Sequence, residues 1–286
     1  MYQFLNDLLQ FNFLQHALLS GILASVACGV IGTFVVVRRI TYIAGGISHT
    51  VLGGMGAALY LQSVYHWESL NPIYGAVVAA LLAAVVIGLV SLRAKQREDT
   101  VIGALWAVGM AVGILFISRT PGYNSDLMSY LFGNILLVSA DDLWLLVGLD
   151  ILVLGLGIVF YNQFLAVCFD EEFARLRGLR VDFYYLLLLC LTSLTVVVLV
   201  TVVGIVMVIA LLTLPTAIAG FFSKSLKHMM VLSSLFCMAF TTSGIVLSYG
   251  PNFPTGATTI VIAGAAYLML IVFKGLAGLR RSRLDR

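Results

Sequence analysis

Nine apolar stretches separated by short polar connections constrain this chain more than any motif in it: 13–37, 47–64, 72–92, 100–118, 142–161, 183–203, 205–222, 229–249 and 255–273. A hydrocarbon core about 30 Å thick calls for about 20 apolar residues of helix per crossing, and these stretches have that length. With 61% hydrophobic and only 10% charged residues, the chain has too little polar surface to cover a water-soluble globule. The expectation is an all-α integral membrane protein, a single transmembrane helical bundle over residues 1–286. The count is nine spans, with eight as the alternative. The weakest junction is at Gly204, where VVVLVTVVGIVMVIALLTLPTAIAG is nearly continuous and needs a very tight external turn.

The basic residues test this count. Arg38 and Arg39; Arg93, Lys95 and Arg97; Arg175, Arg177 and Arg180; Lys224 and Lys227; and Lys274 with the four tail arginines fall in alternate connections, and of the sixteen Lys and Arg only Arg119 falls on the other side. The positive-inside rule then puts the amino terminus outside, the carboxyl terminus in the cytoplasm, and the neutral or acidic connections 65–71 and 126–142 outside. The first fifteen residues, MYQFLNDLLQFNFLQ, carry no Lys or Arg and so lack the basic n-region of a cleavable signal peptide; the first segment reads as a retained span. No basic tract suits nucleic acid. Cys28, Cys168, Cys190 and Cys237 form no CxxC pair and read as small apolar packers.

Small residues recur at helical spacing. Gly21, Ser25, Gly29 and Thr33 share one face of the first span, and Gly109 with Gly113 makes GxxxG in the fourth. Such faces let helices approach closely, and tight packing within the bundle is favoured here over a dedicated dimer motif. Pro215 removes a backbone donor inside the seventh span and predicts a kink, with Thr213 and Thr216 placed to satisfy freed carbonyls.

Two stretches concentrate polar chemistry. In 38–56, RRITYIAGGISHTVLGGMG, two arginines end one apolar segment and His49 sits inside the next. A helix starting at Arg39 would carry His49 about 15 Å up its axis, near the middle of the hydrocarbon, and an intramembrane imidazole is a functional-site candidate. The alternative is a neutral histidine donating to a backbone carbonyl and locking two helices. In 167–182, VCFDEEFARLRGLRVD, Asp170 is a good N-cap, Glu171 and Glu172 fall in the first turn, Arg175 and Arg177 in the last, and Gly178 stands where a left-handed terminator belongs. That helix is too short to span, so it lies on the cytoplasmic face with Phe173, Leu176 and Leu179 available to a partner or to the bundle. It either docks a partner or anchors itself to headgroups.

Taken together, these stretches resemble the permeases of bacterial metal-ion ABC importers, the zinc, manganese and iron group. The resemblance runs through RRITYIAGGISHTVLGG, EDTVIGAL at 98–105, YLFGNILLVSADDL at 130–143, FDEEFARLRGL, and VGIVMVIALLTLPTAIAG at 203–220, in the family's order. It implies a type II importer-like bundle whose helix at about 170–178 couples to the ATPase through Asp170, Glu171, Phe173, Ala174, Arg177 and Gly178. It also implies that His49 contacts the transported ion. Most relatives carry an Asp four residues before this histidine; here the position is Gly45, which supplies neither charge nor ligand. The i, i+4 spacing would have put carboxylate and imidazole on one helix face.

The resemblance further implies a transport subunit that is not itself an enzyme. Having one such helix and no GxxxxGK[ST], it would work as a homodimer on two cytoplasmic ATPase subunits, fed by an extracytoplasmic metal-binding protein, in the lipid of the cytoplasmic (inner) membrane. Its cargo would be a divalent transition-metal ion, zinc first and manganese or iron next, with no tightly bound cofactor. A chelated metal or small organic cargo is the alternative that Gly45 opens. A secondary transporter or membrane enzyme is disfavoured, because the sequence shows no HExxH and no paired intramembrane acids.

Among the other polar residues, Asp150 reads first as a buried structural carboxyl and second as a pathway residue; Pro215, whose kink is a hinge or merely a shape, is the other pathway candidate. His66 and Glu68 belong to an external turn with Trp67 at the interface, His228 to a cytoplasmic loop, and His16 to the start of the first span.

Overall fold

The computed structural model describes residues 7–8, 10–67, 70–93, 98–121, 133, 135–251 and 253–284. Expectations that concern Glu68, Lys95, Arg97, the external acid Asp126, and Tyr130 to Phe132 with Asn134 of the 130–143 motif lie outside these residues. Among the described residues all regular structure is helical: α1 (Asn12–Val37), α2 (Thr41–Tyr65), α3 (Pro72–Arg93), α4 (Glu98–Arg119), α5 (Ala140–Val159), α6 (Tyr161–Phe169), α7 (Glu171–Leu176), α8 (Val181–Val203), α9 (Ile205–Phe222), α10 (Leu226–Tyr249) and α11 (Thr255–Leu284), with a single 3-10 turn at Ile135–Leu137.

Eight of these helices are long and apolar enough to cross a membrane by length and composition: α1, α3, α4, α5, α8, α9, α10 and α11. The ninth expected span is α2, which at 25 residues has the length but not the composition. Its surroundings account for that. Packed against α3, α4, α8 and α9, α2 is largely enclosed by protein, as α1 and α8 are, and so it tolerates Ser48, His49, Thr50 and a series of glycines.

The close approach of α2 to α4 needs those glycines. A Cβ on Gly53 would lie 2.8 Å from the Gly109 carbonyl oxygen, and one on Gly56 would lie 2.7 Å from that of Gly113. The GxxxG of α4 is therefore an intramolecular seam. The small face of α1 is another: Ser25 pairs with Thr241 of α10 at 3.4 Å, and Gly21 and Gly29 lie against Thr241 and Ser234 of the same helix.

The ends of the bundle sort the connections as the charge pattern predicts. At one end Arg38 bonds Glu171, Lys227 lies 4.9 Å from the Tyr161 ring centroid, and Lys274 lies 4.3 Å from that of Phe221. At the other, the Tyr249 hydroxyl donates to Asp7 at 2.8 Å. Gly204 is the sole residue between α8 and α9, with φ +82, a value that glycine adopts without strain.

Several expectations are adjusted. α2 begins at Thr41 rather than 47, with Ile40 as its N-cap following Arg39, whose φ is +62. α11 continues past 273 to Leu284, since nothing after Lys274 breaks a helix. At Pro215 within α9, Thr213 donates to Ile209 at 2.7 Å and Thr216 pairs with Ser233, so neither hydroxyl takes the Leu211 carbonyl that the proline frees. His228 lies in the first turn of α10, whose N-cap is Ser225, rather than in a loop. α6 was not foreseen: the run YNQFLAVCF carries no cap residue, yet Phe164 buries itself edge-on against Phe34 of α1, with centroids 5.3 Å apart.

Candidate functional site

His49 lies eight residues beyond Thr41, about 12 Å up the α2 axis. It is 8% exposed and stacks on Trp106 of α4, with ring centroids 4.3 Å apart and planes at 12°. Its Nδ1 is enclosed and has no hydrogen-bond partner among the described residues. No carbonyl acceptor for Nδ1 is therefore found among the described residues, and a buried nitrogen left unpaired is costly. Trp106 was not singled out from sequence. Its only signal is an indole a turn and a half inside a span instead of at the interface.

Gly45, one turn before His49, confirms the shared face. A Cβ there would meet Trp106 at 3.6 Å and Ile209 at 3.9 Å, which is ordinary contact. The glycine is thus not demanded by packing, unlike Gly53. Beside it opens a cavity of about 500 Å³ bounded by Tyr42, Trp106, Ile209, Thr213 and Tyr267. Among the described residues no group of three or more His, Cys, Asp or Glu could hold a metal ion. Asp150 does not join His49: this residue lies on α5 against Ala27 and Cys28 of α1, with its Oδ1 buried and unpaired. Pro215 is buried on α9, the helix that also carries Ile209 and Thr213 of the cavity wall.

The short helix α7 has both ends specified. The Asp170 carboxylate accepts from the Phe173 N–H at 2.9 Å. At the other end Gly178, φ +77, donates to Arg175 O at 2.9 Å while Leu179 donates to Ala174 O at 3.1 Å, the two bonds of a Schellman motif. Its two faces differ. Ala174 is buried at 2%, and Leu179 packs on the core. Phe173 at 50% and Leu176 at 86% point away from it, and Arg177 covers the Phe173 ring at 4.8 Å.

The buried side of α7 is pinned electrostatically. Glu171 accepts from Arg38, at the end of α1, and from Arg175 at 3.0 Å, while Arg175 also reaches Asp182 at 2.7 Å. Burial alone would push the Glu171 carboxyl up, but the hydrogen bonds from Arg38 and Arg175 outweigh it and hold the group below its ordinary range. Arg38 also lies 5.3 Å from the Tyr185 ring centroid, so α1, α7 and α8 meet at one guanidinium.

A bundle of bilayer-length helices, with a doubly capped helix at one end and a histidine stacked on Trp106 in its interior, has the architecture of an integral membrane protein such as a permease. Residues 10–274 match the ABC 3 transport family, and the chain belongs to that family. The resemblance to metal-ion importer permeases read from the motifs holds across nearly the whole chain. It is 42% identical over 251 residues to a probable metal transport system membrane protein of Chlamydia pneumoniae, covering 88% of this chain and 85% of that one. It is 34% identical over 275 residues to the manganese transport system membrane protein MntC of Halalkalibacterium halodurans, covering 96% and 92%. The solved structure of PsaBC from Streptococcus pneumoniae in complex with Fab superposes with a TM-score of 0.83 at 32% identity, covering 94% of each chain.

Proposed function

We propose that this chain is the membrane-spanning subunit of an ATP-driven importer for a divalent first-row transition-metal ion, working as a homodimer on two ATPase subunits in the cytoplasmic membrane. The observation that carries the reading is α7, whose caps fix its ends and whose apolar residues Phe173 and Leu176 stand exposed beside a charged latch. Exposed aromatic and aliphatic side chains on a fixed helix outside the spans suit a protein partner better than water. ATP-driven closure of two ATPase subunits would move two such helices together and switch the pathway between outward and inward access.

His49 is the residue we assign to the ion. An imidazole suits iron and zinc better than manganese, which prefers oxygen ligands, and a lone ligand binds weakly, as transit requires. In a homodimer the symmetry-related His49 would supply a second nitrogen if both face the seam. The manganese system among the relatives supports manganese ahead of the zinc that the motifs first suggested. The charge pattern supports an external amino terminus and a cytoplasmic carboxyl terminus. The cavity beside Gly45 favours one second reading, a chelated ion or small organic cargo.

Reconstitution with the cognate ATPase in liposomes tests both. ATP-dependent uptake of Mn²⁺, Zn²⁺ or Fe²⁺ as free ions is expected. Uptake only of chelates would establish the second reading, and ATP-independent uptake would overturn both.

A further inference from the structure

A second cavity, of about 640 Å³, is formed by α1, α5, α6 and α10 away from the His49 site. Three helices converge on it in a consistent sense. α1 and α5 reach it at Val30 and Ile158, toward their basic-end termini, and α10 enters it at Lys227 and leaves at Leu235, about 12 Å along its axis. The groove therefore covers roughly one leaflet of a hydrocarbon core. Its wall is apolar, with Ile158, Val231 and Leu235 well exposed. Its mouth is polar: Lys227, Asn162 and Tyr161 gather there, and the exposed Lys227 lies over the Tyr161 ring at 4.9 Å, at the edge of the groove. No acidic residue is among the described residues that line the groove.

We infer that this groove binds one anionic phospholipid, with an acyl chain along α10 and the phosphate at Lys227. The shape supplies the apolar slot and the charge supplies the headgroup preference. Basic side chains between helices at the cytoplasmic interface attract acidic lipids in this way. The placement in the inner leaflet rests on the proposed orientation; the pairing of slot and charge does not. Such a lipid would bridge α6, next to the coupling helix, to α10.

The experiment is native mass spectrometry of the purified full-length permease, with phosphatidylglycerol and phosphatidylcholine of the same chains added in turn. Phosphatidylglycerol should be retained in preference to phosphatidylcholine. Lys227→Gln should weaken that retention about fivefold, while Lys224→Gln, a basic residue outside the groove, should leave it unchanged. Gly157→Leu should abolish retention of both lipids with the lysine intact; a Cβ there meets Val30 at only ordinary distance, 3.5 Å, so the longer side chain fills the slot. Equal retention of the two lipids, or equal effects of the two lysine variants, would overturn the inference. So would efficient cross-linking of Leu235→Cys permease into covalent dimers in membranes, which would make the groove a contact between copies.

Discussion

Replacing Gly178 isolates the conformation of one residue. Its φ of +77 belongs to the left-handed region, and a Cβ built there meets nothing within 4 Å. A substitution therefore costs backbone strain and no clash. For a non-glycine residue that strain is about 1–2 kcal/mol, larger for a β-branched side chain and smaller for asparagine, which tolerates this region. If Gly178→Val leaves the left-handed well, the two terminal bonds, to Arg175 O and Ala174 O, go with it. α7 has six residues and no stability of its own, so 1–2 kcal/mol, roughly five- to thirtyfold in an equilibrium, is enough to misplace Phe173 and Leu176 for much of the time. Metal-stimulated ATP hydrolysis by the reconstituted complex should fall in the order Gly, Asn, Ala, Val, with insertion and dimerisation normal. Full coupled turnover in Gly178→Val would make α7 a mere anchor. An Asn variant as damaged as Val would show that backbone conformation is not the cause.

Further outcomes follow from other contacts. Arg38→Ala should lower coupled turnover about tenfold, ~1.4 kcal/mol, because a partly buried charge-assisted bond lies between the values of exposed and buried pairs. Because the Glu171 carboxyl is held below its ordinary range, this latch stays charged above the ordinary glutamate value of about 4.3 and is lost only as pH falls through the lowered one; coupling should therefore be flat between about pH 5 and 8, and a loss within that window would refute the assignment. Gly53→Ala should destabilise the detergent-solubilised protein by ~1–3 kcal/mol, because its Cβ meets backbone, while Gly45→Ala should be nearly neutral; equal melting temperatures would contradict the close α2–α4 seam. In intact cells, an impermeant maleimide should modify His66→Cys and not Lys224→Cys; the reverse would invert the proposed orientation.

Much of the bundle was legible because hydropathy acts locally. Each lipid-facing helix must be apolar along its own length, and α2, the helix that fails that test, was still found from its apolar run 47–64, with Arg38 and Arg39 ahead of it. α7 was legible because its start and stop are single residues, Asp170 and Gly178, whose effects are confined to one turn. What escaped is tertiary. The Arg38–Glu171 bond joins residues 133 apart, and nothing in either stretch names the other. The Trp106 stack on His49 depends on how deeply α4 sinks into the glycines of α2, which the GxxxG motif suggests without giving its partner. α6 escaped for a different reason: its sequence is helical and apolar in continuation of α5, and only a backbone break at Phe160, without Gly or Pro, separates the two.

The central claim is that His49 touches the ion, and transport measured beside stability tests it most directly. ATP-driven metal uptake in liposomes would be compared for the parent, His49→Ala, His49→Gln and Gly45→Asp, with the melting temperature of each protein in detergent. The account predicts that both histidine variants lose uptake at an unchanged melting temperature. It also predicts that Gly45→Asp, whose Cβ would meet Trp106 at an ordinary 3.6 Å, alters the preference among Mn²⁺, Zn²⁺ and Fe²⁺. Normal uptake by His49→Ala, or a loss that follows unfolding step for step, would leave His49 as packing for Trp106 and contradict the claim.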